Sequence, residues 1–338
     1  MRAVRLHAAG DIRLHDEPDP EPAEGEELIR VTAVGLCGSD RHWFIEGSIG
    51  DAALSRPLVL GHEIAGIVET GPRRGQRVAV DPADPCGDCD LCLAGRGHLC
   101  LALRFAGHGT VDGGLRSLMA WPRRLLAPLP DAIKDPDAAL LEPLGVALHA
   151  IDLGRVRPGM SAGVFGCGPI GLLLVQVLRA MGVSPIVATD PLPHRLAVAT
   201  SMGATEVGAP GSGVREEDRV THGAGPPLDA VFEAAGEDGA VEDAIAAVRP
   251  GGRAVLVGIP AADRTSFRAS VARRKGLTIL LSRRMRAPDL PRAIGMVEAG
   301  LVDLGSLISG RYPLDQASMA FDYLGQRRGL KVVVEPSG

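Results

Sequence analysis

Ala162-Gly163-Val164-Phe165-Gly166-Cys167-Gly168-Pro169-Ile170-Gly171 is the stretch that decides the fold of this chain. Its first four residues read as a buried strand, its glycines as a turn, and the apolar run that continues to Met181 as a helix. In a Gly-x-Gly-x-x-Gly turn between strand and helix, the glycines Gly166, Gly168 and Gly171 permit a tight bend. They also let the backbone, with Ile170 beside it, approach a pyrophosphate at the helix N-terminus. Such a match is weak alone and specific in context. The next strand, Pro185-Ile186-Val187-Ala188-Thr189-Asp190, ends on an aspartate nineteen residues past Gly171. There the Asp190 carboxylate can accept hydrogen bonds from both ribose hydroxyls of NAD and would repel a 2′-phosphate, so NAD is expected over NADP. Arg195 and His194 are the nearby bases that could accommodate a phosphate. Further strands are expected at 229–232, 253–258 and 277–281, alternating with helices, which implies an α/β, doubly wound parallel sheet.

Upstream the character differs. Short runs such as Glu27-Leu28-Ile29-Arg30-Val31 and Ile64-Ala65-Gly66-Ile67-Val68 alternate with Gly and Pro turns and read as β-rich. A helix is expected over 137–150. After 281 only one helix (289–299) and a last strand (331–334) are expected, and these residues should fold back onto the first domain.

Four of the six cysteines crowd into Cys86-x2-Cys89-x2-Cys92-x7-Cys100. Four thiolates on a Gly/Asp loop can close a tetrahedron around zinc in a structural role. Free cysteines and an iron–sulfur cluster are the competing readings. A second donor set is dispersed: Cys37 in Gly35-Leu36-Cys37-Gly38-Ser39-Asp40, His62 and Glu63 in Gly61-His62-Glu63-Ile64-Ala65-Gly66, and Glu142 in Leu141-Glu142-Pro143-Leu144. Thiolate, imidazole and carboxylate all suit zinc, and three protein ligands with one open position make a catalytic site. Singly, each residue has a plainer reading: a buried thiol, a satisfied histidine, a helix-start glutamate.

These motifs together resemble the zinc-containing medium-chain alcohol dehydrogenase family over essentially the whole chain. Glu142, where ethanol-type enzymes carry cysteine, resembles the sorbitol and polyol branch, as do Cys37 to Trp43 and Gly47 to Asp51. The resemblance implies a Rossmann nucleotide domain (148–285) inserted in a mostly β, GroES-like catalytic domain (1–147 and 286–338), with a structural-zinc lobe at about 84–102. It implies Cys37 and His62 as direct ligands of a catalytic zinc, with Glu63 and Glu142 sharing the remaining sphere. Ser39 would contact the substrate hydroxyl and pass its proton on, with His42 at the outer end of that relay. Val257 and Ile259 would lie along the nicotinamide and Arg284 near the nicotinamide and pyrophosphate. Trp43, Phe44, Phe105 and Ile49 would line the substrate pocket, with His108 and Met285 where the branch has threonine and tyrosine.

The activity so implied is NAD-dependent oxidation of a secondary hydroxyl of a polyol to a ketone. L-threonine or 2,3-butanediol dehydrogenase on the same scaffold, or an NAD-sensing protein without catalysis, are the alternatives. A homodimer or homotetramer is expected. The net charge of -5 argues against nucleic acid or anionic membrane as a partner. No apolar run approaches the roughly 20 residues of a membrane span, and a cytoplasmic protein is the default.

Overall fold

The computed structural model describes residues 1–211, 227–260 and 264–337. They form two compact units, one of Met1–Gly145 with Arg286–Gly338 and one of Val146–Met285.

The first unit is built around the strand Glu26–Leu36, whose side chains alternate between buried and half-buried before the last four turn fully inward. It pairs antiparallel with Glu63–Val68, Leu118–Pro122 and Lys331–Glu335, inside a seven-stranded sheet. The last strand of the chain thus lies against this central strand. At one level of the sheet Gly35 pairs with Glu63 on one side and with Val333 on the other. The core gathers Val34, Ile64, Leu115, Trp121, Phe321 and their neighbours.

Two boundaries differ from the sequence reading. The helix expected over 137–150 is two helices, Asp135–Ala138 and Leu141–Gly154. Pro143 explains the break: it lacks an N–H to donate into a continuing helix, but is tolerated in the first turn of a new one. The strand expected from Arg253 begins at Val248, because a register shift between Leu228 and Ala230 absorbs residues 249–252.

Burial in this unit gives one pH-sensitive prediction. Asp81 follows the strand Arg77–Val80; its Oδ1 accepts the Ala83 N–H at 2.9 Å, and its carbonyl accepts the Trp121 indole N–H at 2.8 Å. Burial pushes its carboxyl up to about 6. A carboxyl with a raised folded pKa binds more protons folded than unfolded, so its ionisation costs stability. That cost is absent below about pH 4, grows between about pH 4 and 6, and is fully felt above. A difference of this size corresponds to roughly 3 kcal/mol. Asp81→Asn keeps the acceptor and removes the charge. It should raise the unfolding free energy by about 1–3 kcal/mol at pH 8, with the gain shrinking towards pH 4.5. Urea titrations across that range would decide; a gain independent of pH would show that ionisation is not its source.

Among its described residues the second unit forms a six-stranded, all-parallel sheet. In chain order its strands are Ala162–Phe165, Ile186–Thr189, Glu206–Gly208, Leu228–Glu233, Val248–Leu256 and Thr278–Leu281, and they lie side by side as 3-2-1-4-5-6. This is the doubly wound Rossmann order, and strands one and four flank the point where the winding reverses. Ligands bind such sheets beyond the carboxyl ends of the strands at that point. Among the described residues no helix is long and apolar enough to cross a membrane.

Candidate active site

Cys37 directly follows the central strand of the first unit and is the N-cap of the helix Gly38–Glu46. Asp40, fully buried in the first turn of that helix, accepts the Cys37 N–H at 2.9 Å and the Gly61 N–H at 3.2 Å. One carboxylate therefore ties the loop that carries Cys37 to the loop that carries His62. The same Asp40 Oδ1 lies 3.5 Å from His62 Nδ1. Burial opposes a charged imidazole here, but Asp40 and Cys37 overcome it and hold His62 well above its ordinary range. The other ring nitrogen, Nε2, lies 3.5 Å from Ser39 Oγ. A histidine anchored through one nitrogen by a carboxylate presents the other as a ligand.

Cys37, His62 and Glu63 each bring one donor atom to within 4.8 Å of the others. Bonds of about 2.0–2.3 Å to a tetrahedral ion bring its donors to about 3.3–3.8 Å of one another, and a thiolate, an imidazole and a carboxylate gathered within 4.8 Å could hold zinc. Glu63 is fully buried, and Lys331 donates to both of its oxygens at 2.7 Å. Glu142, in the first turn of Leu141–Gly154, stands outside the convergent trio but close enough to feel it. Burial pushes its carboxyl up to about 7, with His62 pulling down and Glu63 pushing up. His42 pairs with Glu46 one turn along its helix, Nδ1 to Oε1 at 2.9 Å.

The other cysteines converge as well. The Sγ separations are 3.4 Å for Cys89–Cys92, 3.5 Å for Cys86–Cys100, 3.8 Å for Cys86–Cys92 and 3.9 Å for Cys89–Cys100. A tetrahedron of zinc–sulfur bonds of about 2.3 Å has edges of about 3.8 Å, so the four thiols fit one ion with no position left open.

The aromatic residues divide. Phe105 places its ring 5.4 Å from the His62 ring and 6.5 Å from that of His108. Trp43, expected on the pocket wall, is 1% exposed within the core, where its helix meets the helix Ala317–Gly325, and its ring lies edge-on to that of His108 at 5.5 Å. Phe44 stacks on Phe321 at 4.8 Å, and Ile49 packs against the same core.

In the second unit the glycine turn has the form of a cradle. Gly166 has φ 105° and lies on the backbone of Ala234 and Ala235. A Cβ on Gly171 would come 1.8 Å from the Gly166 carbonyl oxygen, whereas one on Gly168, the N-cap of Pro169–Ala180, would meet nothing nearer than Arg195 Nη1 at 3.8 Å. Gly171 thus allows helix and turn to cross, and Gly168 leaves open space in front of the helix N-terminus. Ile170 is half-buried in the first turn of that helix. Asp190 accepts the Cys167 N–H at 2.8 Å and the Leu192 N–H at 2.9 Å, with Arg195 Nη1 at 3.8 Å from its Oδ2. Beside the turn, the Val257 N–H bonds the Glu233 carbonyl at 2.8 Å, and the Glu233 side chain accepts the N–H groups of Ala235 and Gly236 at 2.6 Å each. Ile259 is 48% exposed at the end of that segment. Arg284 holds φ 59°, a left-handed conformation that is uncommon for a side-chain-bearing residue.

Three residues of these sites escaped the sequence reading: Asp40, Glu233 and Lys331. Asp40 had a local signal, an acidic residue three positions after a helix N-cap. Lys331 had none in its neighbourhood, since 268 residues separate it from Glu63.

Comparison with known proteins places these features. Residues 23–131 match the family described as alcohol dehydrogenase GroES-like domain, and residues 169–299 the family described as zinc-binding dehydrogenase. Sorbitol dehydrogenase of Bacillus subtilis (strain 168) is 33% identical over 351 residues, covering 100% of this chain and 98% of its own. A protein of Neosartorya fischeri named "Probable D-xylulose reductase A" is 35% identical over 340 residues, covering 97% of this chain and 95% of its own. Among solved structures, one described as a short chain alcohol dehydrogenase from E. coli CFT073, complexed with cofactor NADH, superposes with TM-score 0.90 at 26% identity, covering 99% of each chain.

Proposed function

The chain belongs to the polyol branch of the zinc-containing medium-chain alcohol dehydrogenase family, and from that premise we propose that it oxidises a secondary hydroxyl of a polyol to a ketone, passing the hydride to NAD. The observation that carries the reading is the convergence of Cys37, His62 and Glu63 on one point, with Ser39 beside it. When bound, zinc would supply Lewis acidity towards the hydroxyl and the nicotinamide would accept the hydride.

The chain's own groups do the rest. Cys37, His62 and Glu63 would hold the ion, with Glu142 completing the sphere directly or through water. Asp40 keeps His62 Nδ1 occupied, so that Nε2 faces the donor set. The Ser39 hydroxyl, which both donates and accepts, would take the proton of the substrate hydroxyl. His42, one helical turn on, would be the outward acceptor of that proton. Phe105 beside His62 would give the carbon skeleton an apolar face, with His108 next to it. Gly166, Gly168 and Gly171 would admit the pyrophosphate, and Asp190, held by two backbone N–H groups, would keep acceptor capacity for the ribose hydroxyls. Cys86, Cys89, Cys92 and Cys100 would hold the second, structural zinc. The strand Thr278–Leu281 ends its sheet with Leu281 79% exposed, which supports a homo-oligomer.

The test is reduction of NAD and NADP, followed at 340 nm, against a panel of polyols, diols and threonine. Chelator-sensitive turnover of a C5 or C6 polyol, with kcat/KM at least about 10-fold higher for NAD than for NADP, is the expected result. Turnover of threonine alone, or of no panel member by zinc-loaded protein, would overturn the reading.

A further inference from the structure

Lys331 comes from the far end of the chain, and its side chain is only 3% exposed. Its ammonium donates to Glu63 Oε1 and Oε2 at 2.7 Å each and to the Leu36 carbonyl at 3.2 Å. Those acceptors occupy all three of its donors. One acceptor is the residue before Cys37, and the other two belong to the residue after His62. A single cation therefore clips together the two segments that carry the thiolate and the imidazole.

Gly35 confines the Glu63 carboxylate as well. A Cβ on Gly35 would sit 2.1 Å from Glu63 Oε2, so the carboxylate fills the space that a side chain at position 35 would need. A carboxylate offers about four lone-pair sites, of which Lys331 takes two, leaving the remainder for another cation. Charge points the same way. Glu63 is buried and Cys37 half-buried beside it, with Glu142 close by, and Lys331 brings a cation among these acidic groups. The chain has 36 basic residues, and only Lys134, Lys275 and Lys331 are lysines. At position 331 a compact ammonium serves three acceptors from a single nitrogen, whereas a guanidinium spreads its donors over a planar fork.

We propose that Lys331 is the positioning residue of the Cys37–His62–Glu63 centre, fixing the Glu63 carboxylate for a divalent cation and setting how tightly the centre keeps it. The proposal rests on the reading of that trio as a zinc site. Losing a partner that orients a ligand typically costs about 10–100-fold in metal affinity.

The experiment titrates full-length, zinc-loaded protein with a chelator and follows zinc released per chain, using Lys331→Gln and Lys331→Arg. The four-cysteine zinc is the reference within the same molecule. In Lys331→Gln one zinc should leave at about 10–100-fold lower chelator concentration while the other is released as before, and added zinc should restore kcat. Lys331→Arg, which keeps the charge but not the geometry, should fall between. Gly35→Ala crowds the same carboxylate directly and should loosen the same zinc, which carries the test if Lys331→Gln does not fold. Release of both zincs as in the unaltered protein, or of both together with melting, would overturn the proposal. Unaltered protein that holds only the four-cysteine zinc would instead sink the metal reading of the trio, before any variant is made.

Discussion

Gly171→Ala is expected to weaken NADH binding by at least about 100-fold and to lower the melting temperature. The added Cβ would stand 1.8 Å from the Gly166 carbonyl oxygen and 2.9 Å from the Gly166 carbonyl carbon. Both atoms are backbone, so no rotamer change relieves the clash. The helix Pro169–Ala180 must retreat from the turn by more than an ångström, and with it the N–H groups at its start. Displacement of a binding element by about 1 Å can cost about 100-fold, and overpacking a tight crossing costs roughly 1–3 kcal/mol. Gly168→Ala is the control. Its Cβ meets only Arg195 Nη1 at 3.8 Å, and its φ of -70° suits any residue. That variant should keep the melting temperature and weaken NADH, because the methyl group fills the space the pyrophosphate would use. Fluorescence titration with NADH, read alongside thermal unfolding, separates the two effects. Gly171→Ala protein that binds NADH within threefold of the unaltered protein would show that the crossing does not shape the cofactor site.

Cys37→Ala should abolish measurable polyol oxidation, with kcat/KM falling by at least about 1,000-fold. Loss of the ion removes several kcal/mol of charge stabilisation at the reacting oxygen, and each 1.4 kcal/mol is a factor of ten. Zinc should fall from about two per chain to about one, because the four-cysteine group keeps its own set of donors. The fold should survive. The Cys37 backbone N–H still bonds Asp40, and the side chain sits half-buried at a helix start, outside the main core. Element analysis of the purified variant and its melting curve check both statements. Two zincs retained with more than about a tenth of the activity would remove Cys37 from the ligand set.

How far the sequence reached follows from the range of the forces involved. The glycine turn was legible because its constraint is local: strand, turn and helix are consecutive, and Gly166, Gly168 and Gly171 act within six residues. The four-cysteine lobe was legible for the same reason, since its donors share one loop. Asp190 was legible because strand length and helix length set its distance from the turn. Burial was harder to see. Trp43 lies beside His42 in sequence, but consecutive residues on a helix do not face each other: Trp43 is buried in the core, while His42 pairs with Glu46. The break at 139–140 was missed because apolar spacing continues through it, while Pro143 carries the stop.

Fold class, the nucleotide turn and the residue types able to serve as metal donors could be read along the chain, because each depends on contacts between near neighbours. How those donors are held depends on contacts between distant segments. The Cys37–His62–Glu63 trio exists because the strands Glu26–Leu36 and Glu63–Val68 pair in the register that sets Gly35 opposite Glu63. Asp40 orients His62 because a helix cap and a loop meet there, and Lys331 clamps Glu63 because the last strand returns to pair with that of Glu26–Leu36. Strand register and chain return join residues far apart in sequence, and no local pattern records which partner a strand will choose.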